Sequence, residues 1–440
     1  MAERVKPRFT LAVAGDSFLT TQVSCYKEPD FLAVFDIIKK QTMGFTNLEV
    51  LLNDYKGIPA ADSGGTYAGA STALVEDIKW MGFQAVSRAN NHSLDYSYEG
   101  LRLTTETLDK AGVCHAGVGE NLGEARSPGY LETPAGRVAV LSASASFAAW
   151  GRAGHVRPDF QGRPGLSPLR HSTYYNVSKE HLEALRSMEE ALGLSKLKEA
   201  ARKSGHLGPE KEGEFSFGGL KFVVSETPGL HTDPNEKDVQ EITKWIKDAR
   251  RQADWVFYTL HAHEAHLERE VPAEFVVKFA RACIDAGADA FIGHGPHVLR
   301  GIEIYKGKPI FYSLGNFIFQ NDLVKKHPQE IYDRAGLGPE ATPADMYDAR
   351  SKNGTISFPA DVAYWESVLG IVDFHNGALK KVELYPLYLG WDRPRSQRGR
   401  PTLARGDIAK RILERMQKLS EPYGTKMRVE GEEGIIAIEQ

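Results

Sequence analysis

Residues 255–297 read WVFYTLHAHEAHLEREVPAEFVVKFARACIDAGADAFIGHGPH. An apolar, β-rich run over 255–263 ends in histidines, a helical pattern over 273–286 stops at Gly287, and a second apolar run over 290–294 ends in His294. A glycine at that point supplies a left-handed C-terminal cap, and a strand so soon after it makes the stretch a strand–helix–strand unit. The unit recurs. Strands are predicted at 9–15, 44–52, 85–91, 137–146 and 221–226, and helices at about 30–41, 71–81, 97–111 and 238–252, two of them stopping at Gly82 and Gly112. Such alternation specifies an α/β fold with a largely parallel inner sheet. Two ribbons depart from it. Residues 302–319 read as a hairpin turning at Lys306-Gly307-Lys308, and 367–389 as another turning at Asn376-Gly377, a dipeptide suited to tight hairpin turns. Antiparallel ribbons added to parallel strands predict two mixed sheets in a four-layer sandwich flanked by helices.

The chain of 440 residues, 42% apolar and 25% charged, is long enough for a large core. Its 54 basic and 58 acidic side chains leave a net charge of -4, which gives no reason to expect nucleic acid or an anionic membrane as partner. The apolar run Phe9–Ala14 is far too short to cross a bilayer, and nothing later reaches the roughly 20 residues required. Cys25, Cys114 and Cys283 are odd in number and widely spaced; they make no disulfide framework and suit the reducing cytoplasm. Residues 1–403 are expected to form a single domain, with insertions at about 148–220 (a Gly/Pro/Arg-rich loop, then a charged helix near 178–203) and 320–365. Residues 404–440 read as an extension made of an amphipathic helix and a small hairpin. Insertions of this length in a compact chain are lids or disordered segments. Oligomeric state leaves no mark on the sequence.

Chemistry-bearing residues gather at the predicted strand tips. The first strand delivers Asp16; the second carries Asn47 and Glu49; the third runs into Asn90, Asn91 and His92, with Asp95 following. The 255–263 strand delivers His261, His263 and Glu264, with His266 beyond, and the 290–294 strand delivers His294, with His297 three residues later. In an open parallel sheet the carboxyl ends of the strands line one crevice, so five segments would aim carboxylate, amide and imidazole groups at one place. Taken singly, each has a plainer reading. Asp16 could cap a helix, Asn90 and Asn91 could shape a turn, and His92 could be a packed core histidine. Glu49 is less easily dismissed, because an unpaired carboxylate in an apolar strand is expensive to bury. Mixed Asp/Glu/Asn/His ligation without cysteine suits Mn²⁺, Fe²⁺ or Zn²⁺. The donors suffice for two divalent ions, which together activate water.

The stretches GDSF (15–18), NLEV (47–50), ANNHSLDYSYEGL (89–101) and GHGPHVLRGIEIYKGKPIFYSLGNFIF (293–319) resemble the CapA/PgsA family of capsule and poly-γ-glutamate biosynthesis, related to the calcineurin-like metallophosphoesterases. The likeness spans most of residues 9–319. It implies a metallophosphoesterase-like sandwich and a set of roles. Asp16, Glu49, Asn91, His261, His294 and His297 would be metal ligands, with Glu49 bridging. His92 would be general acid or transition-state donor, oriented by Asp95. Manganese is the metal implied first, with zinc or iron as alternatives, and two ions rather than one. The chain departs from the pattern in two places. Phe18 stands where phosphoesterases of this fold carry the histidine of Asp-x-His, and Ala262-His263-Glu264-Ala265-His266 replaces the usual Trp-Gly and Glu after His261.

These readings point to a soluble metal-dependent hydrolase acting on a phosphoester, ester or lactone, or amide. The alternative is a non-catalytic polymer-binding component of poly-γ-glutamate or capsule biosynthesis, against which the missing membrane anchor weighs; a scaffold with a decayed site is disfavoured by the intact ligand set. The partner expected is a small-molecule or short-polymer anionic substrate. Asn47, Asn90, His263 and Glu264 are candidate substrate contacts, together with Arg152 and Arg157 from the 148–175 loop, whose basic residues (Arg163 and Arg170 among them) either cap the cleft or are solvated surface.

Overall fold

Along the strand Phe9–Phe18, Leu11 and Val13 enter one apolar layer while Ala12 and Ala14 enter another, the two-residue period of a β-strand buried on both faces. The computed structural model describes residues 6–438; the first five residues of the basic N-terminal stretch lie outside them. In the first sheet Phe9–Phe18, Met43–Leu48, Ala85–Ser87 and Cys114–Ala116 run parallel in that order. On its other side the first strand pairs antiparallel with the hairpin Glu366–His375 and Ala378–Tyr388, which turns at Asn376-Gly377. In the second sheet Gly136–Ser144, Trp255–His261, Ala290–His294 and Lys308–Leu314 are parallel, and Gly129–Thr133 and Leu299–Tyr305 form antiparallel edges.

Leu11, Val13, Phe45, Val140, Phe257, Ile292 and Phe311 fill the space between the sheets. The outer face of the first sheet is covered by helices Pro29–Lys39 and Val75–Met81 through Phe31, Phe35, Ile38 and Ile78. Helices Glu236–Gln252 and Glu274–Asp285 cover the second through Ile242, Ile246, Phe275 and Phe279. The fold is therefore α/β, with two mixed sheets face to face and helices outside, as the ribbons and alternation predict. The amphipathic helix Gly406–Ser420 sends Ile412, Leu413 and Met416 into the inter-sheet core, and the strand Glu433–Ala437 pairs with Ala378–Tyr388. Among the described residues no helix is long and apolar enough to cross a membrane.

Several elements differ from the sequence reading. The 221–226 strand, seen as Leu220–Val224, lies in neither central sheet. It joins Glu214–Phe217, His171–Val177 and Gly229–Pro234 in a separate four-stranded sheet that begins in the 148–220 segment and runs past its expected end to Pro234; its residues stay half-exposed, so no core face selects it for the sandwich. The charged helix near 178–203 is two helices, Lys179–Ala191 and Leu194–Lys203, broken at Gly193, whose φ of +73° no helix accommodates. The second insertion is ordered too: it carries helices Gln329–Arg334 and Pro343–Ser351, the latter opened by a reciprocal Thr342–Asp345 capping box. The strand expected over 44–52 ends at Leu48, one residue past the level of Ser87, where its outer neighbour ends. Glu49 N–H still donates to the Ser17 carbonyl at 3.2 Å, and Leu51–Leu52 then pairs with Gly69–Ala70 apart from the central sheets. The hairpin placed at 302–319 is complete by Leu314, after which Asn316–Phe319 crosses to the other sheet and pairs with Phe9–Phe18.

That crossing depends on two glycines in contact. Gly315 turns with φ +75°, and a Cβ on Gly15 would come within 1.8 Å of the Gly315 carbonyl oxygen. Asp16 N–H donates to that same oxygen at 3.0 Å. Replacing Gly15 by alanine must push the backbones apart where the two sheets join. We expect Gly15→Ala to cost roughly 3 kcal/mol in urea unfolding, whereas Gly208→Ala, where a Cβ meets nothing within 4 Å, should stay within about 0.5 kcal/mol of wild type.

Candidate metal centre

Parallel register sets the innermost residues side by side. His261 lies opposite His294 at the ends of adjacent strands of the second sheet. In the first sheet Asp16 lies opposite Asn47, and Asn47 opposite Ser87. The ladder of the first strand is irregular between Val13 and Asp16, and such a bulge re-aims the side chain that follows it. Asp16 Oδ1 accepts from Asn47 Nδ2 at 2.8 Å, and Oδ2 from the Gly295 N–H at 2.9 Å. Asn47 is the hub of the polar floor: its Oδ1 also accepts from Ser87 Oγ at 2.7 Å and from Asn90 Nδ2 at 3.3 Å.

Two groups of ligand atoms result, Asp16 with His261 and His294, and Glu49 with His263 and His297, each with its atoms within 4.8 Å of one another. His261 sits between them, its Nδ1 3.9 Å from Asp16 Oδ1 and its Nε2 3.6 Å from Glu49 Oε1. His297 also spans both, 3.6 Å from Asp16 Oδ2 and 3.7 Å from Glu49 Oε1. Its φ of +59° is costly for a side chain of this size, and Asn316 Oδ1 holds the ring at Nδ1, 2.8 Å away. Ser87 Oγ and Thr259 Oγ1 approach His294 Nε2 at 3.2 and 3.1 Å. The imidazoles crowd one another, with 2.9 Å between His261 Nε2 and His263 Nε2 and 3.1 Å between His261 Nδ1 and His294 Nδ1.

Burial dominates the electrostatics. Asp16, Glu49 and His261 have no exposed surface and His294 1%. Desolvation raises the Asp16 carboxyl to about 7, and raises Glu49 well above the usual range, where the neighbouring charges of Asp16 and Asp95 add to the effect. Desolvation also lowers His294 to about 3 and His297 to about 4, and holds His261 and His263 well below their ordinary value. Both Glu49 oxygens and Asn91 Oδ1 are buried without a hydrogen-bond partner. Leaving such atoms bare costs roughly several kcal/mol. A cation among them would satisfy the orphaned oxygens and favour the charged carboxylates, and the oxygen and nitrogen donors suit a divalent ion. The residues fit a metal.

His92 is built differently. Its Nδ1 lies 2.7 Å from Asp95 Oδ2, which also accepts the Ala68 N–H at 2.7 Å, and the Phe18 ring meets it edge-on. Asn90 supports the floor by donating to the Leu48 carbonyl at 2.9 Å and accepting from the His92 N–H at 3.1 Å. Asn91 Nδ2 donates to the Gly64 carbonyl at 3.3 Å. His263, read from sequence as a substrate contact, lines both openings beside the centre and also stands with Glu49 and His297, two residues past the strand end at His261. Glu264 accepts from Ser146 Oγ at 3.0 Å. His266 lies on another face, beside Val271 and Tyr423.

Two chambers open onto the centre, of about 490 and 280 Å³, sharing Gly64, Asn91 and His263 as their partition. Phe147 and, from the 148–175 loop, Trp150 line the larger one, and none of the loop's arginines does. Arg152 donates to the Ala149 carbonyl, Arg163 to the Arg152 carbonyl, Arg157 pairs with Asp159 in solvent, and Arg170 pairs with Asp238. The arginines that do line a chamber are Arg269 and Arg350. Sequence reading passed over them, as it did Asn316 and Ser87, since each acquires its place only through long-range contacts; Asn316 alone stood within a noted motif, YSLGNF.

The family model for the bacterial capsule synthesis protein PGA_cap matches residues 10–321. An uncharacterized protein of Sinorhizobium fredii is 36% identical over 449 residues, spanning 99% of this chain and 95% of that one. The capsule biosynthesis protein CapA of Bacillus anthracis is 25% identical over 270 residues, 61% of this chain and 48% of its own. Among solved structures, a Staphylococcus aureus protein assigned as a 5'-nucleotidase and crystallised with alpha-ketoglutarate aligns with a TM-score of 0.38 and 13% identity, over 95% of this chain and 58% of that one; a likeness at that level adds nothing to the topology above. The matched residues 10–321 begin in the first core strand, end just past the strand that crosses between the sheets, and include every member of both ligand groups. The chain belongs to the bacterial capsule synthesis protein PGA_cap family.

Proposed function

We propose that the protein is a metal-dependent hydrolase that directs water at a phosphoester, ester or lactone, or amide bond of a small or short-polymer anionic substrate. The observation that carries this reading is Glu49, a fully buried carboxylate with both oxygens unpartnered among imidazoles. Asp16, His261 and His294 would hold one ion, and Glu49, His297, His263 and Asn91 a second, with manganese favoured over zinc or iron. When bound, such a pair lowers the pKa of water and polarises the electrophile.

The protein's own groups supply the rest. Asp95 fixes the His92 ring through Nδ1, leaving Nε2 to hand a proton to the departing oxygen or nitrogen. Asn47 and the Gly295 N–H fix both oxygens of Asp16, so that carboxylate keeps one orientation. Phe18, Phe319 and Phe358 line the His92 chamber, and apolar walls strengthen the charge interactions beside them. The free cysteines Cys25, Cys114 and Cys283 accord with action in the cytoplasm. The names of the capsule relatives support capsule biosynthesis as the setting, and a binding-only role there is the alternative reading.

Elemental analysis should find up to two metal equivalents per wild-type chain and at least one fewer in Glu49→Ala and in His294→Ala; wild-type stoichiometry in both variants would remove the ligand assignment. A His92→Ala protein should retain its metal while kcat on chromogenic phosphoesters, esters or amides falls roughly 10²–10⁴-fold. Loss of metal in that variant would make His92 a ligand, and absence of turnover by wild type across the whole panel would leave the binding role. Manganese added to EDTA-treated protein at about 100 times its Kd should stabilise it by roughly 2.7 kcal/mol in thermal unfolding, an increment that Glu49→Ala should largely lose.

A further inference from the structure

The two chambers differ in charge. The larger presents Asp62, Asp95 and Glu264 beside Phe147 and Trp150, whereas the smaller presents Arg269 and Arg350 beside His92. The two arginines are not equivalent. Arg269 is ion-paired with both Glu270 and Asp361, so its charge is already answered. Arg350, from the helix Pro343–Ser351, donates Nη1 to Thr66 Oγ1 at 2.7 Å and rests over the Phe358 ring, 5.7 Å from its centroid. Among the described residues no carboxylate lies within ion-pair distance of it. Thr66 and the ring hold the guanidinium in place, and Nη2 lies 3.8 Å from where a Cβ on Gly65 would stand. A positioned, unneutralised guanidinium facing a small chamber is suited to an oxyanion, which its planar fork binds at two points.

We propose that Arg350 reads an anionic group, a carboxylate or a phosphate, on the leaving-group portion of the substrate. The side of the scissile bond follows from His92, which lines the chamber of Arg350 and not the larger one. A proton donor must face the atom that departs, so the fragment beyond that atom occupies the Arg350 side. The retained fragment occupies the Trp150 side, where an anion would meet Asp62 and Glu264. This inference rests on the hydrolase reading for its direction, but not for the anion contact itself. Arg350 is a specificity-determining residue on this account.

The test uses three phenols standing for leaving groups, 3-hydroxybenzoate, 3-hydroxyphenyl phosphate and the neutral 3-hydroxybenzamide. Their binding to wild type, Arg350→Gln and Arg350→Lys is measured by calorimetry on manganese-loaded and on EDTA-treated protein. At least one of the two anions should bind wild type about tenfold or more tighter than the amide, and which one does so separates carboxylate from phosphate. Arg350→Gln should abolish that preference without changing amide binding, and Arg350→Lys should restore part of it. The same preference in wild type and Arg350→Gln overturns the proposal, as does anion binding that vanishes with EDTA yet ignores the substitution, or no anion binding at all. An equal loss for all three phenols, with a lowered melting temperature, reduces Arg350 to a structural role and overturns it too. Acetate and methyl phosphate esters of the same phenols then test direction: turnover by wild type should favour the anionic leaving group in the manner lost by Arg350→Gln. If no ester is hydrolysed while the Arg350-dependent binding persists, the hydrolase reading fails and the anion contact stands.

Discussion

Two fully buried carboxylates and four imidazoles stand at the meeting of two sheets, and much of the surrounding structure accommodates the cost of burying them. Asp16 and Glu49 are fully buried, and the charge each would carry in water is disfavoured where it lies. Hydrogen bonds answer Asp16 but leave Glu49 bare. Removing such groups from water is tolerable only if something replaces the lost solvation, and a divalent cation replaces more of it than any neutral partner can. A divalent ion would offset much of the electrostatic cost of burying these groups.

Holding these groups close requires the two sheets to meet at their strand ends, and the chain achieves this by sending one segment from one sheet to the other. The ribbon ending at Leu314 belongs to the second sheet; two residues later Asn316–Phe319 pairs in the first. The contact of Gly15 with Gly315 permits that crossing, and Asn316, placed by it, orients His297. A single local irregularity therefore joins the sheets, positions a carboxylate beside an imidazole and seats the histidine that reaches both ligand groups. The family model reaches just beyond the end of this segment, as expected if the crossing belongs to what the family shares.

Outside the two central sheets, the segment from residue 148 to Pro234 adds a small sheet and lends Trp150 to one chamber; the 320–365 segment, capped and packed through Tyr332, Met346 and Tyr347, lends a guanidinium to the other. The Asp, Glu and His cluster thus comes from the sandwich, whereas part of the walls of both chambers comes from elements added to it, the second packed on Leu51, Tyr67 and Tyr96.

The layer order was legible in the sequence because it depends on local periodicity: strands buried on both faces read as apolar runs, helices as stripes, and Gly82, Gly112 and Asn376-Gly377 as stops and turns. The residues at the strand tips were legible for a related reason, since a polar side chain at the end of an apolar run has no local partner to explain it. Where the chain lacked a core face to impose a period, the reading failed, as at Leu220–Val224 and in the helices on either side of Gly193. That these tips meet was expected from the parallel strands, but which donor stands with which was beyond the sequence. His263 joined Glu49 because a strand ended two residues earlier, and Arg350 reached the chamber because a helix some 250 residues beyond Asn91 packs over it. Distances between segments arise from the register of sheets and the closure of long loops, which depend on every intervening contact and leave no periodic mark. Composition and pattern determined which chemistry the chain could carry; only the tertiary structure decided which side chains share a site.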